Sequence, residues 1–223
     1  VDGMKQLIIR NFKLRRWTLI IYLVLIVINP IYTLFFSKTS YGFVVYIPLA
    51  ITLMIISILD SGQLFRVHRR LGGKESYLFY ESLPITKKEL LNANYLTCII
   101  LTILGTLIIG LYNFQSTNIQ VNELRYSTAL SFLSVNLFSI PIAFSKSTER
   151  KREYISYTVY IILMVLAIPM AIAFIFLTIN LFIFHNALDP NVFNKYLSIG
   201  LVIISVIWLV INYFIQIARV NRR

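Results

Sequence analysis

Residues 13–36 read KLRRWTLIIYLVLIVINPIYTLFF, three cations set directly against a run with no charged side chain from Trp17 to Phe36. A helix needs about 20 apolar residues, at about 1.5 Å rise each, to cross the hydrocarbon core of a bilayer. The stretch therefore reads as a membrane span whose basic flank stays on one side. The same test applied along the chain predicts six spans, near residues 17–36, 42–59, 93–112, 126–145, 155–184 and 197–217, with no Asp, Glu, Lys or Arg deep inside any of them. The fold class that follows is all-α, a polytopic membrane protein. With 58% hydrophobic and 13% charged residues in 223, the composition leaves no room for a separate soluble domain. One transmembrane domain over 4–223 is expected, and Val1, Asp2 and Gly3 ahead of Met4 read as an expression remnant.

The basic residues fall in alternate gaps. Lys5, Arg10, Lys13, Arg15 and Arg16 precede span one, and Arg66, Arg69, Arg70, Lys74, Lys87 and Lys88 follow span two. Lys146, Arg150, Lys151 and Arg152 follow span four, and Arg219, Arg222 and Arg223 follow span six. These are 18 of the 21 Lys and Arg residues, and the opposite gaps hold only Lys38, Arg125 and Lys195. Short loops rich in Lys and Arg stay in the cytosol, so both termini are expected there. A net charge of +12 bordering membrane spans points to anionic lipid headgroups as partners and not to nucleic acid. The single cysteine, Cys98, lies within span three and reads as a packed thiol.

Ahead of span one, Met4, Leu7, Ile8, Phe12 and Leu14 fall near helical spacing beside Lys5, Arg10 and Lys13. That pattern predicts an interfacial amphipathic helix on the inner leaflet; a plain basic flank is the alternative. The fifth apolar stretch, 155–184, is too long for one simple span. Pro169 can kink it, and the surplus either turns back as a short apolar helix at the outer surface or is taken up by tilt. Within the spans the polar residues are small. Ser127, Ser131 and Ser134 share a face of span four, Ser198, Ser205 and Asn212 recur every seven residues in span six, and Thr106-x-x-x-Gly110 lies in span three. Helix packing is the simplest reading of these stripes, with the lining of a permeation route as the other.

The gap after span two is the most informative loop. Gly72-Gly73 ends any helix continuing from span two. Lys74 to Leu83 then holds Glu75, Tyr77, Leu78, Phe79, Tyr80, Glu81 and Ser82, a short amphipathic helix with exposed aromatics, closed by Pro84 because the residue before a proline disfavours helix. Thr86 and Glu89 form an S/T-x-x-E capping box that starts the next helix at about Lys87. Aromatic side chains on a water-facing elbow are what protein interfaces favour at their centres.

The run Tyr80-Glu81-Ser82-Leu83-Pro84-Ile85-Thr86-Lys87-Lys88-Glu89-Leu90, followed by Asn94-Tyr95-Leu96, resembles the "SLP-[VI]-[ST]-[RK]-K-E" signature after span two of type-2 ATP-binding-cassette permeases. The short size and six spans are similar to the permease subunits of phenol-soluble modulin exporters. The resemblance implies that the segment from Lys74 to Pro84 is a coupling helix seated in a groove of a cytosolic ATPase, that Met4 to Arg16 is a connector helix, and that an outer re-entrant helix pair precedes the last span. It also implies a working unit of two permeases, identical or homologous, with two ATPases in a bacterial plasma membrane. ATP and magnesium would sit on the partner ATPase and no cofactor on this chain. Amphipathic or hydrophobic peptides, toxin peptides among them, would be the cargo.

Other chemistries find no residues to support them. No G-x-x-x-x-G-K-[ST] run exists to cradle a nucleotide, and His68 and His185 fall on opposite sides of the predicted membrane, with no H-E-x-x-H and no G-x-S-x-G. No catalytic or metal-binding residue is assigned, and the chain is expected not to be an enzyme. Ion-coupled carriers bury charged relay groups; Asp60, at the inner end of span two, is better placed to pair with an interfacial cation. A membrane anchor that recruits a cytosolic partner, or a secondary transporter, remain rival functions. The topology makes a direct prediction: on a Cys98-free background, cysteines at Thr117 and Asn191 label from outside, and cysteines at Ser76 and Thr148 only after the membrane is opened. External labelling at position 76 would invert the map.

Overall fold

A computed structural model describes residues 2–35, 41–62, 82, 84–112, 121–143, 156–182 and 190–221. Every regular element among them is helical: α1 (Asp2–Leu14), α2 (Arg16–Phe35), α3 (Tyr41–Ser61), α4 (Lys87–Leu111), α5 (Val121–Ala143), α6 (Tyr157–Ile162), a π-helical segment (Leu163–Ala167), α7 (Ile168–Phe182) and α8 (Pro190–Asn221). Four helical segments are long and apolar enough to cross a membrane: Arg16–Phe35, Val44–Ser61, Lys87–Leu111 and Tyr196–Ala218. They match predicted spans one, two, three and six. Spans four and five fall on α5 and on α6 to α7, where the apolar helices Thr128–Ile142 and Tyr157–Ala167 are shorter among the described residues. The protein is a multi-pass membrane protein.

Two helix pairings organise the bundle. Along α1, α2 and α4 the contacts keep a nearly constant separation, 83 residues at Asn11–Asn94 and Arg15–Cys98 and 82 at Asn29–Leu111. A constant offset means that the helices run side by side in the same direction. Near its far end α4 is pinned again, where the Tyr112 hydroxyl donates to the Leu25 carbonyl at 2.6 Å and its ring lies 4.9 Å from that of Tyr32. α5 makes its most extensive packing with α8, through Leu133, Leu137 and Ile140 against Leu209, Tyr213 and Ile217, and through the Phe138 and Trp208 rings. α3 lies against both α4 and α5. The end of the bundle that holds Arg15, Asp60 and Lys87 is called the basic end below.

Four of the polar side chains in these stripes bond back to their own helix, while Ser134, Ser198 and Ser205 are buried as packing requires. Thr106 donates back to Thr102, Ser134 to Ser131, Ser205 to Val202 and Asn212 to Trp208. In hydrocarbon a polar group must find a partner inside the protein, and the carbonyl one turn back is always within reach. Gly110 has no atom within 4 Å of where a side chain would begin, so the Thr106-x-x-x-Gly110 pattern marks no described seam. The seam is one turn earlier, at Gly105, where a Cβ would meet Phe132 at 2.7 Å and the Tyr22 hydroxyl at 2.9 Å.

No reversal occurs between Tyr157 and Phe182. The helix is continuous through the π-helical segment, with the Ile168 amide donating to Leu163; residues 183–189, where a turn-back before the last span would fall, lie outside the described residues. Proline has no amide hydrogen to give and crowds the carbonyl four residues earlier. Widening of the helix directly before Pro169 accommodates both. Beyond that point α7 makes only sparse contact with the other described helices. Met170, Phe174, Ile175, Leu181 and Phe182 are left exposed along it.

The Gly105 seam yields a test. Gly105→Val is expected to destabilise the detergent-solubilised protein by about 1–3 kcal/mol, the usual range for overpacking a filled core, whereas Gly110→Val leaves the thermal midpoint unchanged. Equal midpoints for the two variants would show that α2, α4 and α5 do not meet at Gly105.

Candidate functional site

Of the residues expected to form the coupling elbow, Lys74, Glu75, Tyr77, Leu78, Phe79, Tyr80, Glu81 and Leu83 lie outside the described residues, and Ser82 and Pro84 are exposed. The capping box is formed as expected. The Glu89 amide donates to the Thr86 hydroxyl at 3.2 Å, and Glu89 Oε2 accepts from the Thr86 amide at 3.0 Å and from its hydroxyl at 2.9 Å. α4 therefore starts at Lys87. The Thr86 amide, and then its hydroxyl, hold the carboxyl of Glu89, which stands ahead of the apolar part of the helix, below the ordinary glutamate range.

What the described residues add is how the two ends of this segment are held. α3 ends at Ser61, just before the elbow, and a helix C-terminus leaves carbonyl oxygens without partners and a partial negative charge. Arg15 fills that need at Asp60, and Tyr160 adds a second donor to the Ile58 carbonyl, which already accepts from the Gly62 amide at 2.9 Å. Arg15 Nη2 donates to the Asp60 carbonyl at 3.0 Å, and the Tyr160 hydroxyl of α6 donates to the Ile58 carbonyl at 3.2 Å. The Thr18 hydroxyl donates to Asp60 Oδ1 at 2.9 Å. Gly62 continues the turn where a Cβ would sit 3.0 Å from both Tyr157 and Tyr160, so the close approach of α6 depends on glycine there. Asp60 is 9% exposed and Arg15 5%; both are drawn in from the interface. Arg15 meets Asp60 at its main-chain oxygen, and Thr18 meets it at the carboxylate.

The other end of the elbow, the first turns of α4, is gripped on two faces. Asn11 Nδ2 donates to Asn94 Oδ1 at 2.9 Å and reaches Thr97 at 3.4 Å, while Arg15 Nη2 also donates to the Cys98 sulfur at 3.2 Å. On the opposite face α8 contributes the Tyr213 hydroxyl to Asn92 at 2.8 Å, and Gln216 accepts from the Tyr95 hydroxyl at 3.1 Å. The thiol of Cys98 is packed as expected, and it is also an acceptor.

The N-terminal helix is present, but its apolar face is spent differently from the expectation. Leu7 is buried with Leu90 and Ala93, Ile8 packs beside it, and Phe12 packs on the core that holds Tyr22 and Leu101. These residues meet protein instead of lipid, because the base of α4 offers an apolar strip at matching height. Arg10 is half-buried and bonds to Asn11 at 3.5 Å. The face turned outward carries Lys5 and Lys13 with Ile9, Leu14 and Trp17, the last under the Arg16 guanidinium at 5.7 Å. Sequence reading missed the polar stripe Asn11, Arg15, Thr18 on the inner face. Its signal was there: these positions continue the helical spacing from Leu7 to Tyr22, and an Asn and an Arg on an otherwise apolar face need buried partners.

Nothing in this arrangement is a catalytic constellation, and among the described residues no group of His, Cys, Asp and Glu could hold a metal ion. It is a brace that ties both ends of a basic segment into the core of a membrane bundle. No curated protein and no solved structure matches the chain. The family model described as ABC-2 family transporter protein matches residues 6–221, which takes in α2 to α8, the braced segment and all but the start of α1. The chain belongs to the ABC-2 transporter family, and is a membrane transport component.

Proposed function

We propose that this chain is the permease subunit of an ATP-driven exporter, worked by a separate cytosolic ATPase that seats the Lys74–Pro84 elbow, with the basic end facing the cytosol. The observation that carries the reading is the double brace. A loop that only lies on headgroups needs no buried hydrogen bonds at its base, whereas a loop that receives a push must pass it to the spans on either side. Here both flanking helix ends are bonded to the N-terminal stretch, by Arg15 at the α1–α2 joint and by Asn11 of α1, and then separately to α6 and α8. The 18-to-3 distribution of Lys and Arg supports the orientation.

The exposed apolar length of α7 supports a second permease, identical or homologous, as its cover, with alternating access at the interface between the two. Cargo recognition would be apolar, since the described spans offer hydroxyls and amides but little charge toward their interior. Amphipathic or hydrophobic peptides fit that chemistry.

The test is binding and export. Truncating aromatic interface anchors commonly costs more than about 1 kcal/mol each. Tyr77→Ala with Tyr80→Ala is therefore expected to weaken ATPase binding by roughly 30-fold or more, for about 2 kcal/mol in all, with membrane insertion at wild-type level. Thr86→Ala removes the cap and costs about 1 kcal/mol of local helix stability without taking away an interface side chain. A double variant that binds the ATPase and exports normally would remove the elbow from the mechanism.

A further inference from the structure

Arg15 occupies an unusual position. It is the one residue between α1 and α2, and its amide splits between the Asn11 and Phe12 carbonyls at 3.2 and 3.0 Å, so the helix direction is set there. Its side chain points inward, and its Nη2 reaches both the end of α3, at the Asp60 carbonyl, and the fourth turn of α4, at the Cys98 sulfur. Its Nε and Nη1 are buried with no hydrogen-bond partner among the described residues. The guanidinium is thus held by one nitrogen on two acceptors, one from each leg of the elbow.

We infer that Arg15 is the positioning residue of coupling, a cross-strut that makes the two legs of the elbow and the joint of the N-terminal helix move as one body. This rests on the permease reading above. A group that stabilised only α3 would need a single carbonyl contact, such as Tyr160 makes on Ile58. A group that stabilised only the α1–α4 contact would resemble Asn11, which bonds α4 alone. Arg15 spans both, and it does so with a flat, permanently charged head whose geometry a lysine ammonium cannot copy. The positive charge at the α3 terminus also suits the helix dipole. Without the strut, a push on the elbow would splay α3 from α4 instead of moving the bundle.

The experiment uses the full chain with its co-purifying ATPase in lipid nanodiscs, reading ATP turnover of the complex against that of the free ATPase, together with ATPase binding and the thermal midpoint. Wild-type complex comes first; no change in turnover on assembly would sink the permease reading and this inference with it. Given wild-type stimulation, Arg15→Met is expected to bind the ATPase normally, since the elbow aromatics are untouched, yet to lose stimulation by about tenfold, the scale of one charge-assisted hydrogen bond. Arg15→Lys should recover part of it through the Asp60 carbonyl. Thr18→Val, which removes a bond to α3 but none to α4, should lower the midpoint and leave stimulation intact. Should Arg15→Met fail to insert, Cys98→Ala, which removes only the α4 arm, carries the test with a partial loss of stimulation. Full stimulation in Arg15→Met, or in Arg15→Lys and Cys98→Ala together when the first does not insert, would overturn the inference, as would a loss in Thr18→Val equal to that in Arg15→Met.

Discussion

The register between the N-terminal helix and α4 underlies the whole basic end. It is set by the Asn11–Asn94 hydrogen bond at 2.9 Å, with Leu7 on Leu90 and Ala93 on one side and Arg15 on Cys98 on the other. A slip of one residue would rotate the stripe by about 100°, since a helix repeats every 3.6 residues, and would turn Asn11 and Arg15 away from their acceptors. Buried polar groups left unbonded are costly where lipid replaces water, so this match allows one register only. α2 follows α1 into place, and the contacts of Asn29 and Tyr112 at the far end repeat the same offset.

From that register the end of α3 acquires its partners. Thr18 and Arg15 lie on the same stripe as Asn11, and once α1 and α2 are docked on α4 their side chains point at the last turn of α3. Tyr160 closes the turn from the other side. The segment between α3 and α4 is then held at each end by groups far away in sequence. In this membrane transport component of the ABC-2 family, both ends of that segment are thereby tied into the bundle by buried hydrogen bonds.

The sequence made some of this legible and hid the rest for physical reasons. Apolar length and the capping box are local signals, and they located the span helices and the start of α4 at Lys87. The brace was hidden because it is a matter of pairing. Asn11, Arg15 and Asp60 each read as ordinary interfacial residues until α4 is placed beside them, and Phe12 reads as a lipid contact until Tyr22 and Leu101 supply a protein one. The serines and threonines are ambiguous in another way, since a hydroxyl that bonds its own helix leaves the same trace in sequence as one that bonds a neighbour. The sequence pattern singled out Gly110, and only the positions of Phe132 and Tyr22 show that the close approach falls at Gly105.

The parallel pairing of the first and third spans also bears on how the chain is made. Asn94 is synthesised 83 residues after Asn11, which at about 5–20 residues per second leaves the amino end unpartnered for roughly 4–17 s. During that interval Asn11 lacks its acceptor on α4, and Arg15 and Thr18 have only Asp60, which follows them by 45 and 42 residues. Until α4 arrives, water at the membrane surface can serve these side chains. Insertion and final seating are therefore separate events for the first span, and the emergence of α4 from the ribosome is the moment at which the base of the bundle can lock.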